Sequence, residues 1–429
     1  MIKPLPVIML CLLASSTRAQ PAAVMFRGDA AHSGQYAGGG ERIVGLQWRF
    51  PTQGDVMATP LVARGVVYVG SGDGKMYALD ERSGDVRWAV SIGAPVQSSA
   101  ALVNDLVVVG SRDGHLHALD AANGKQRWQL ATGKDLPLPW GHESGDVWTS
   151  SPTLAAGRIL VGGGDGVVYA IDPARGAVLW KAQTGGRIRG TPAVHDNRVF
   201  IGSFDGRVYA FDLHDGRRIW RYDTEGVGLN SANFGFDRRS IQSSPSVGDG
   251  MVYIGARDGF LYALDERTGA LRWKFDHKVS WVNSSPAFAE GVVYAGSSDG
   301  HFVQAVDAKT GRELWRANAI GTVWSSPALT ERHAYWGDGT GRIFAVDRSN
   351  GTQLSVFRTG STIHSSPTIE GDLLFIGSGD GGVYALRLGS AAAAPMRAVF
   401  FDSTYLRVSQ VQNAGDVARY LIAGGYTKL

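Results

Sequence analysis

The chain has almost no cysteine. Its single thiol, Cys11, lies in an apolar run near the N-terminus, so beyond that run no disulfide and no cysteine-ligated metal site can form. Net charge is equally scarce. The formal balance is +3 over 429 residues, and Lys3 and Arg18 contribute to it from the first nineteen, which leaves no electrostatic case for nucleic acid or anionic membrane as a partner. Long apolar runs are missing too, apart from Leu5 to Leu13, which is too short to span a bilayer. With Lys3 before it and Ala14, Ser15, Ser16, Thr17, Arg18 and Ala19 after it, that run reads as a secretory leader over 1–19, cleaved after Ala19. Ile8, Met9 and Leu10 lack the small residues of a lipoprotein cleavage site. The expectation is a monomeric periplasmic or secreted protein with no lipid anchor and no transmembrane segment.

Glycine, by contrast, is abundant at 58 residues, while proline, at 16, is not enriched. That combination describes turn-rich folded sequence and not a linker. The glycines recur with period. Eight times the chain repeats a small residue and proline, a valine-rich strand, Asp-Gly, an alternating strand ending in Asp, and Gly-x-x-x-Trp. The fifth copy reads Ser243, Ser244 and Pro245; Val252 to Gly255; Asp258 and Gly259; Leu261 to Asp265; Gly269; Trp273. A repeat of about forty residues with this content predicts a closed β-propeller. The fold class is therefore all-β: eight four-stranded blades over 45–388, preceded by a lead-in over 20–44. The Asp-Gly pairs end at Gly74, Gly114, Gly166, Gly206, Gly259, Gly300, Gly341 and Gly381, with Thr340 replacing Asp in the seventh. Each is expected to be a hairpin turn in which both residues take positive φ.

The tryptophans Trp88, Trp128, Trp180, Trp220, Trp273 and Trp315 each fall four residues after a glycine. A structural role is expected: an indole wedged between blades buries on the order of 200 Å², with its N–H on a carbonyl of the next blade. Unit seven carries Ser355 at this position, which predicts a weaker seven–eight contact. The eighth unit has no fourth strand, and an unpaired fragment, Gly45 to Phe50 with Trp48, precedes the first. Pairing of that fragment with Val383 to Leu386 would close the ring.

Two interruptions break the period, at Gly133 to Val147 and Glu225 to Ser240. Both are connections on the face that carries the Asp-Gly turns, and insertions gathered on one face often mark a binding face. The candidate ligand-binding residues there are Trp140, His142 and Trp148 of the first insertion region, with Trp281 and Trp324 before the Ser-Ser-Pro of blades six and seven. Arg189, Gln242, Asn283 and His364 join them; with Met57, Gln97, Thr149 and Trp324 they occupy the position three residues before the proline in each unit, or before Ala100 in the second. Aromatic planes, an arginine and amides suit a sugar, a quinone or an extended peptide. The competing expectation is that the insertions fold over the channel as a plug. No metal site is expected, since three oxygen or nitrogen ligands on one loop recur by chance and the repeat aspartates are explained by their turns.

Strands ending in Ala-Leu-Asp followed by Thr/Ser-Gly-x-x-x-Trp, as at Ala263 to Trp273, resemble the repeats of the pyrroloquinoline quinone (PQQ) dehydrogenase-type propellers. That family includes quinoprotein alcohol dehydrogenases and the outer-membrane β-barrel assembly lipoprotein, a scaffold. The lead-in Met25 to Gly34 resembles that of many secreted PQQ-like proteins. The resemblance implies a fold; the missing cysteine pair, haem motif and long insertions of the dehydrogenases count against their activity. No catalytic residue and no cofactor are therefore expected. The first reading is a non-catalytic scaffold binding an envelope protein or small ligand. The alternative is a minimal PQQ-dependent oxidoreductase with calcium, stacking the cofactor on Trp140, Trp148, Trp281 or Trp324, and a third is a polysaccharide-binding module. After a linker at 389–396, residues 397–429 read as a partial α/β appendage: Ala398 to Phe401 as a strand, with Val417, Tyr420 and Leu421 in helical spacing.

Overall fold

A computed structural model of the chain describes residues 24–138, 146, 149–278 and 280–390. The leader, the 397–429 appendage and most of its linker, and Trp140, His142 and Trp148 lie outside those residues. Blade one shows how local chemistry makes the repeating sheet. Leu61–Ala63, Val66–Gly70, Lys75–Asp80 and Val86–Ser91 pair antiparallel in sequence order. The inner hairpin turns on two residues, Arg64 and Gly65, at φ 55° and 75°, the positive-φ pair that matches strand twist. The second strand is buried at every position because both of its faces meet neighbouring blades, and β-branched residues fill it accordingly. The outer strand is buried only at Trp88.

The Asp-Gly turns differ from the sequence expectation. Only the glycine takes positive φ, as Gly74 does at 80°, and the loop is wider. The Gly74 N–H donates to Ser71 O at 3.1 Å, and Asp73 accepts the Lys75 N–H at 3.0 Å. The aspartate is needed for its carboxylate, which accepts backbone N–H groups and the Tyr77 hydroxyl, the latter at 2.6 Å. Asp258 and Tyr262, and Asp380 and Tyr384, repeat that pair at 2.6 Å. Blade seven manages without Asp because Asp338 accepts the N–H groups of Thr340 and Arg342. In blade six the loop is one residue longer, since Gly296 pairs with Val303 where Gly70 pairs with Met76, and positive φ falls on His301.

Eight four-stranded sheets form the ring. The strand Arg42–Pro51 pairs with Gly382–Gly389, setting Trp48 opposite Ala385 and Phe50 opposite Val383, so the N-terminal fragment completes the eighth blade as expected. Three devices join the blades. Each outer-strand tryptophan donates its indole N–H to a carbonyl of the following blade: Trp48 to Glu81, Trp88 to Ala121, Trp128 to Pro173, Trp180 to Leu213, Trp220 to Glu266, Trp273 to Ala308 and Trp315 to Arg348, all at 2.8–3.0 Å. The ring lies flat on a turn glycine, so that a Cβ on Gly311 would stand 2.8 Å from Trp273. Where Ser355 replaces tryptophan, its hydroxyl accepts the Ile43 N–H at 2.8 Å: the N-terminal strand occupies the place that an indole fills elsewhere.

The second device is a belt around the axis. In every unit the hydroxyl residue before the proline position accepts the backbone N–H of its counterpart one blade back. The order runs Thr59 to Ser99, Ser151, Thr191, Ser244, Ser285, Ser326 and Ser366, and from Ser366 back to Thr59, at 2.9–3.1 Å throughout. These groups are buried, and no sheet partner is available to them, so the hydroxyls supply what the ladder cannot.

The third is the lead-in, a strap across the other end of the channel. Val24, Ala30, Ala31, Ser33 and Gly34 offer carbonyls, and Met25 its sulfur, to the N–H groups of Leu102, Val194, Val247, Phe288, Leu329 and Leu154 on blades two to seven. Arg27, whose carbonyl accepts the Gly34 N–H at 3.1 Å, donates to Pro286 O at 2.9 Å and Pro327 O at 2.7 Å on blades six and seven. The strap crosses this end of the channel, and the insertion-bearing face is the other end.

Candidate functional site

The mouth is ringed by the eight residues three positions before each proline or its equivalent, because the connection from the preceding outer strand descends there into the inner strand. The ring has two unlike halves. On one side Trp324 and His364 stack with centroids 4.7 Å apart, and the Trp324 indole N–H donates to Ser298 Oγ at 2.5 Å. Burial pushes the His364 pKa down to about 4, so the imidazole is neutral at physiological pH. Met57 and Gln97 continue that side, with the amide nitrogen 3.7 Å from the sulfur.

The other half is ionic, and it is where the insertions come down. Asp146, from the first insertion, is fully buried. Arg189 grips it side-on, Nε to Oδ1 at 2.7 Å and Nη2 to Oδ2 at 2.8 Å, while Arg187 Nη1 reaches Oδ2 at 2.6 Å. Arg112 donates to its backbone carbonyl at 2.8 Å. Burial opposes the Asp146 charge, but the hydrogen bonds of Arg189 and Arg187 outweigh it and hold the carboxyl below the usual carboxylate range. Asp135 makes a second, outer contact with both arginines. Blade three accommodates this pair because residue 164 is glycine: a Cβ there would lie 1.8 Å from Asp135 Oδ1 and 2.7 Å from Arg189 Nη1.

The second insertion is pinned in the same way. Asp237 accepts Arg257 Nη1 at 3.1 Å and the Arg239 N–H at 3.0 Å, and Arg257 Nη2 donates to Gln242 Oε1 at 2.7 Å. Burial lowers the Arg257 pKa, while Asp237 and then Asp146 pull it back. Its guanidinium lies 4.1 Å from the Trp281 ring centroid, a cation–π contact. Arg238 donates to the carbonyls of Arg257 and Asp258. Above these anchors Phe234 and Phe236 remain 40% and 39% exposed, 6.1 Å apart, and Phe236 meets Trp281 edge-on.

Of the residues singled out in the sequence, the structure thus brings Trp324 and His364 together, and links Gln242 and Trp281 through Arg257. Arg189 belongs to the Asp146 anchor, and Asn283 is buried in the ring with no hydrogen bond to its amide atoms among the described residues. Among the described residues of the two insertions, Asp135, Asp146 and Asp237 are carboxylates held by arginine. Sequence reasoning missed Arg187, Arg257, Arg112 and Asp135. A signal existed for two of them: Arg112 and Arg257 stand immediately before the Asp-Gly aspartate in the loops that border the insertions, where blades one and eight carry Gly72 and Gly379.

Trp324 is stacked on one face by His364, Trp281 lies under Arg257, and Asp135, Asp146 and Asp237 are held by arginine. No group of three or more His, Cys, Asp or Glu among the described residues gathers as metal ligands.

An eight-bladed ring of four-stranded sheets, closed by its own N-terminal strand and wedged by repeat tryptophans, places the chain in the class of PQQ-like repeat propellers. The chain belongs to the family described as outer membrane protein assembly factor BamB, which matches residues 45–136, 130–237 and 233–392. No curated protein matches it. Among solved structures, BamB from Moraxella catarrhalis is similar at 21% identity and TM-score 0.64, over 80% of this chain and 97% of that one. The quinohemoprotein alcohol dehydrogenase ADHIIG from Pseudomonas putida HK5 is similar at 14% identity and TM-score 0.70, over 87% and 81%. A computationally designed protein, Ika8, reaches 20% identity and TM-score 0.65, over 82% and 100%. Likeness at these identities shows the fold alone. No helix among the described residues is long and apolar enough to cross a membrane.

Proposed function

We propose that this propeller is a non-catalytic scaffold of the cell envelope that holds a protein partner on its insertion-bearing face. The observation that carries the reading is the loop Glu225–Ser240: a buried Asp237–Arg257 pair and the Arg238 hydrogen bonds fix its backbone, and it presents Phe234 and Phe236 to solvent. Rigid, exposed aromatics on an ordered loop are what a binding hot spot requires, because little conformational entropy is lost on docking. The family's description as an assembly factor of outer membrane proteins supports a partner among envelope proteins, and the leader-like residues 1–19 support export.

The test is cross-linked capture of envelope proteins by the native chain and by the Phe234→Ala/Phe236→Ala double variant. Loss of the captured partner by about tenfold or more is expected for truncating two hot-spot residues; equal capture by both proteins would remove the reading. Titration with PQQ and calcium, read by dye-linked oxidation of alcohols, addresses the dehydrogenase alternative, and turnover there would replace the scaffold.

A further inference from the structure

Between blades two and three, beside the Asp146 anchor, the insertion-bearing face holds a cavity of about 360 Å³ lined by Arg112, Lys134, Asp135, Thr149 and Arg189 among others. Its charges are unevenly matched. Asp113, also in the wall, is taken up by His117 Nε2 at 3.1 Å and the His115 N–H at 2.9 Å. Arg189 is met by Asp146 and Asp135. Arg112 and Lys134 are exposed, and neither is paired with a carboxylate among the described residues. The Thr149 hydroxyl, itself buried, has no hydrogen-bond partner among the described residues. Two cations without a carboxylate partner on one concavity suit an anionic oxygen ligand, with the charges of Asp113 and Asp135 in the same wall acting against it.

The adjoining wall shows which anion such groups accept here, since Arg187 and Arg189 already hold two carboxylates from the chain itself. The outer of these, Asp135, is 44% exposed at the cavity rim, and its charge opposes a second anion entering. We infer that this cavity receives an acidic side chain of a peptide segment, seated between Arg112 and Lys134 with the Thr149 hydroxyl as a further donor, and that Asp135 limits its affinity. The inference deepens the scaffold reading by giving the partner an acidic contact segment, and it rests on that reading for its biological setting.

The experiment uses the full chain and a small probe, so that it is independent of partner capture and of Phe234 and Phe236. An acetylated, amidated triglutamate peptide is titrated at low ionic strength, against triglutamine, succinate and inorganic phosphate. Triglutamate should bind and triglutamine should not. The variants K134Q and R112Q should each weaken binding by roughly three- to fivefold, and D135N should tighten it by a similar factor, as expected for exposed ion pairs. Raising the salt beyond about 0.15 M should weaken all of them. Lys134 makes no side-chain hydrogen bond or ion pair among the described residues, so K134Q stays informative even if R112Q loosens the Asp146 connection. Absence of triglutamate binding to the native protein, or binding unchanged in K134Q, overturns the inference. Succinate or phosphate binding as tightly as the peptide overturns the assignment to an acidic peptide.

Discussion

Replacing Ser285 by alanine isolates one link of the axial belt. The Ser285 hydroxyl accepts the Ser244 N–H at 3.0 Å, and both residues are buried. Alanine keeps the backbone and removes only the acceptor, so the Ser244 N–H is left without a partner in a place where no neighbouring strand can supply one. An orphaned buried donor costs about 1–3 kcal/mol. With an unfolding entropy of about 2 cal/mol/K per residue, that cost lowers the melting temperature of a ring of this size by roughly 1–4 °C. Ser285→Thr is the control, because Thr59 and Thr191 perform the same task in their own blades; it should stay within about 0.5 kcal/mol of the native protein, the usual range for a substitution that preserves the interaction. Thermal and urea unfolding of the native, alanine and threonine proteins read this directly. Alanine and threonine equally damaging would mean that space and not the hydrogen bond matters, and a neutral alanine would refute the belt as a source of stability.

The flat contact between indole and turn glycine should be as sensitive. Gly311→Ala places a Cβ 2.8 Å from Trp273 at a residue with φ +72°, and a loss of about 1–3 kcal/mol is expected, measured as a lower urea midpoint; an unchanged midpoint would count against the wedge. Burial also sets a pH dependence. It lowers the pKa of His32 to about 4, of His364 to about 4 and of His277 to about 3, against 6.5 in the unfolded chain. Between about pH 6.5 and 4 the unfolded state therefore binds more protons, so stability is intact above that window and falls as pH falls through it. The uptake on unfolding should approach three protons from these groups, and His364→Gln should remove one of them; a slope unaltered by that substitution would contradict a buried neutral His364.

Much of the fold was legible because its rules are local and repeated. Forty-residue periodicity, the glycine four residues before each tryptophan and the unmatched fragment at Trp48 each report on backbone geometry that neighbouring residues dictate. The Asp-Gly turns show where that legibility thins: the pair marks the loop correctly, yet its aspartate serves a tyrosine hydroxyl and backbone donors, and the two-residue positive-φ turn lies at Arg64 and Gly65. The candidate site was less legible. Ring positions such as Arg189, Gln242, Trp324 and His364 follow from their place before the proline, but the partners that define them do not. Arg187 and Arg257 look like ordinary surface arginines, and Asp146 and Asp237 like ordinary loop acids, until blades far apart in sequence are brought to one axis.

The sequence by itself determined the all-β class, the number of blades, the closing strand and the face on which the insertions lie, since each depends on spacing along the chain. Only the tertiary structure decided that Ser355 is met by the N-terminal strand, that the strap crosses one end of the channel, that eight hydroxyls join in a continuous belt, and that one side of the mouth carries carboxylates held by guanidinium groups. Those facts depend on closure of the ring, which sets residues up to 307 positions apart, such as Thr59 and Ser366, within hydrogen-bonding distance.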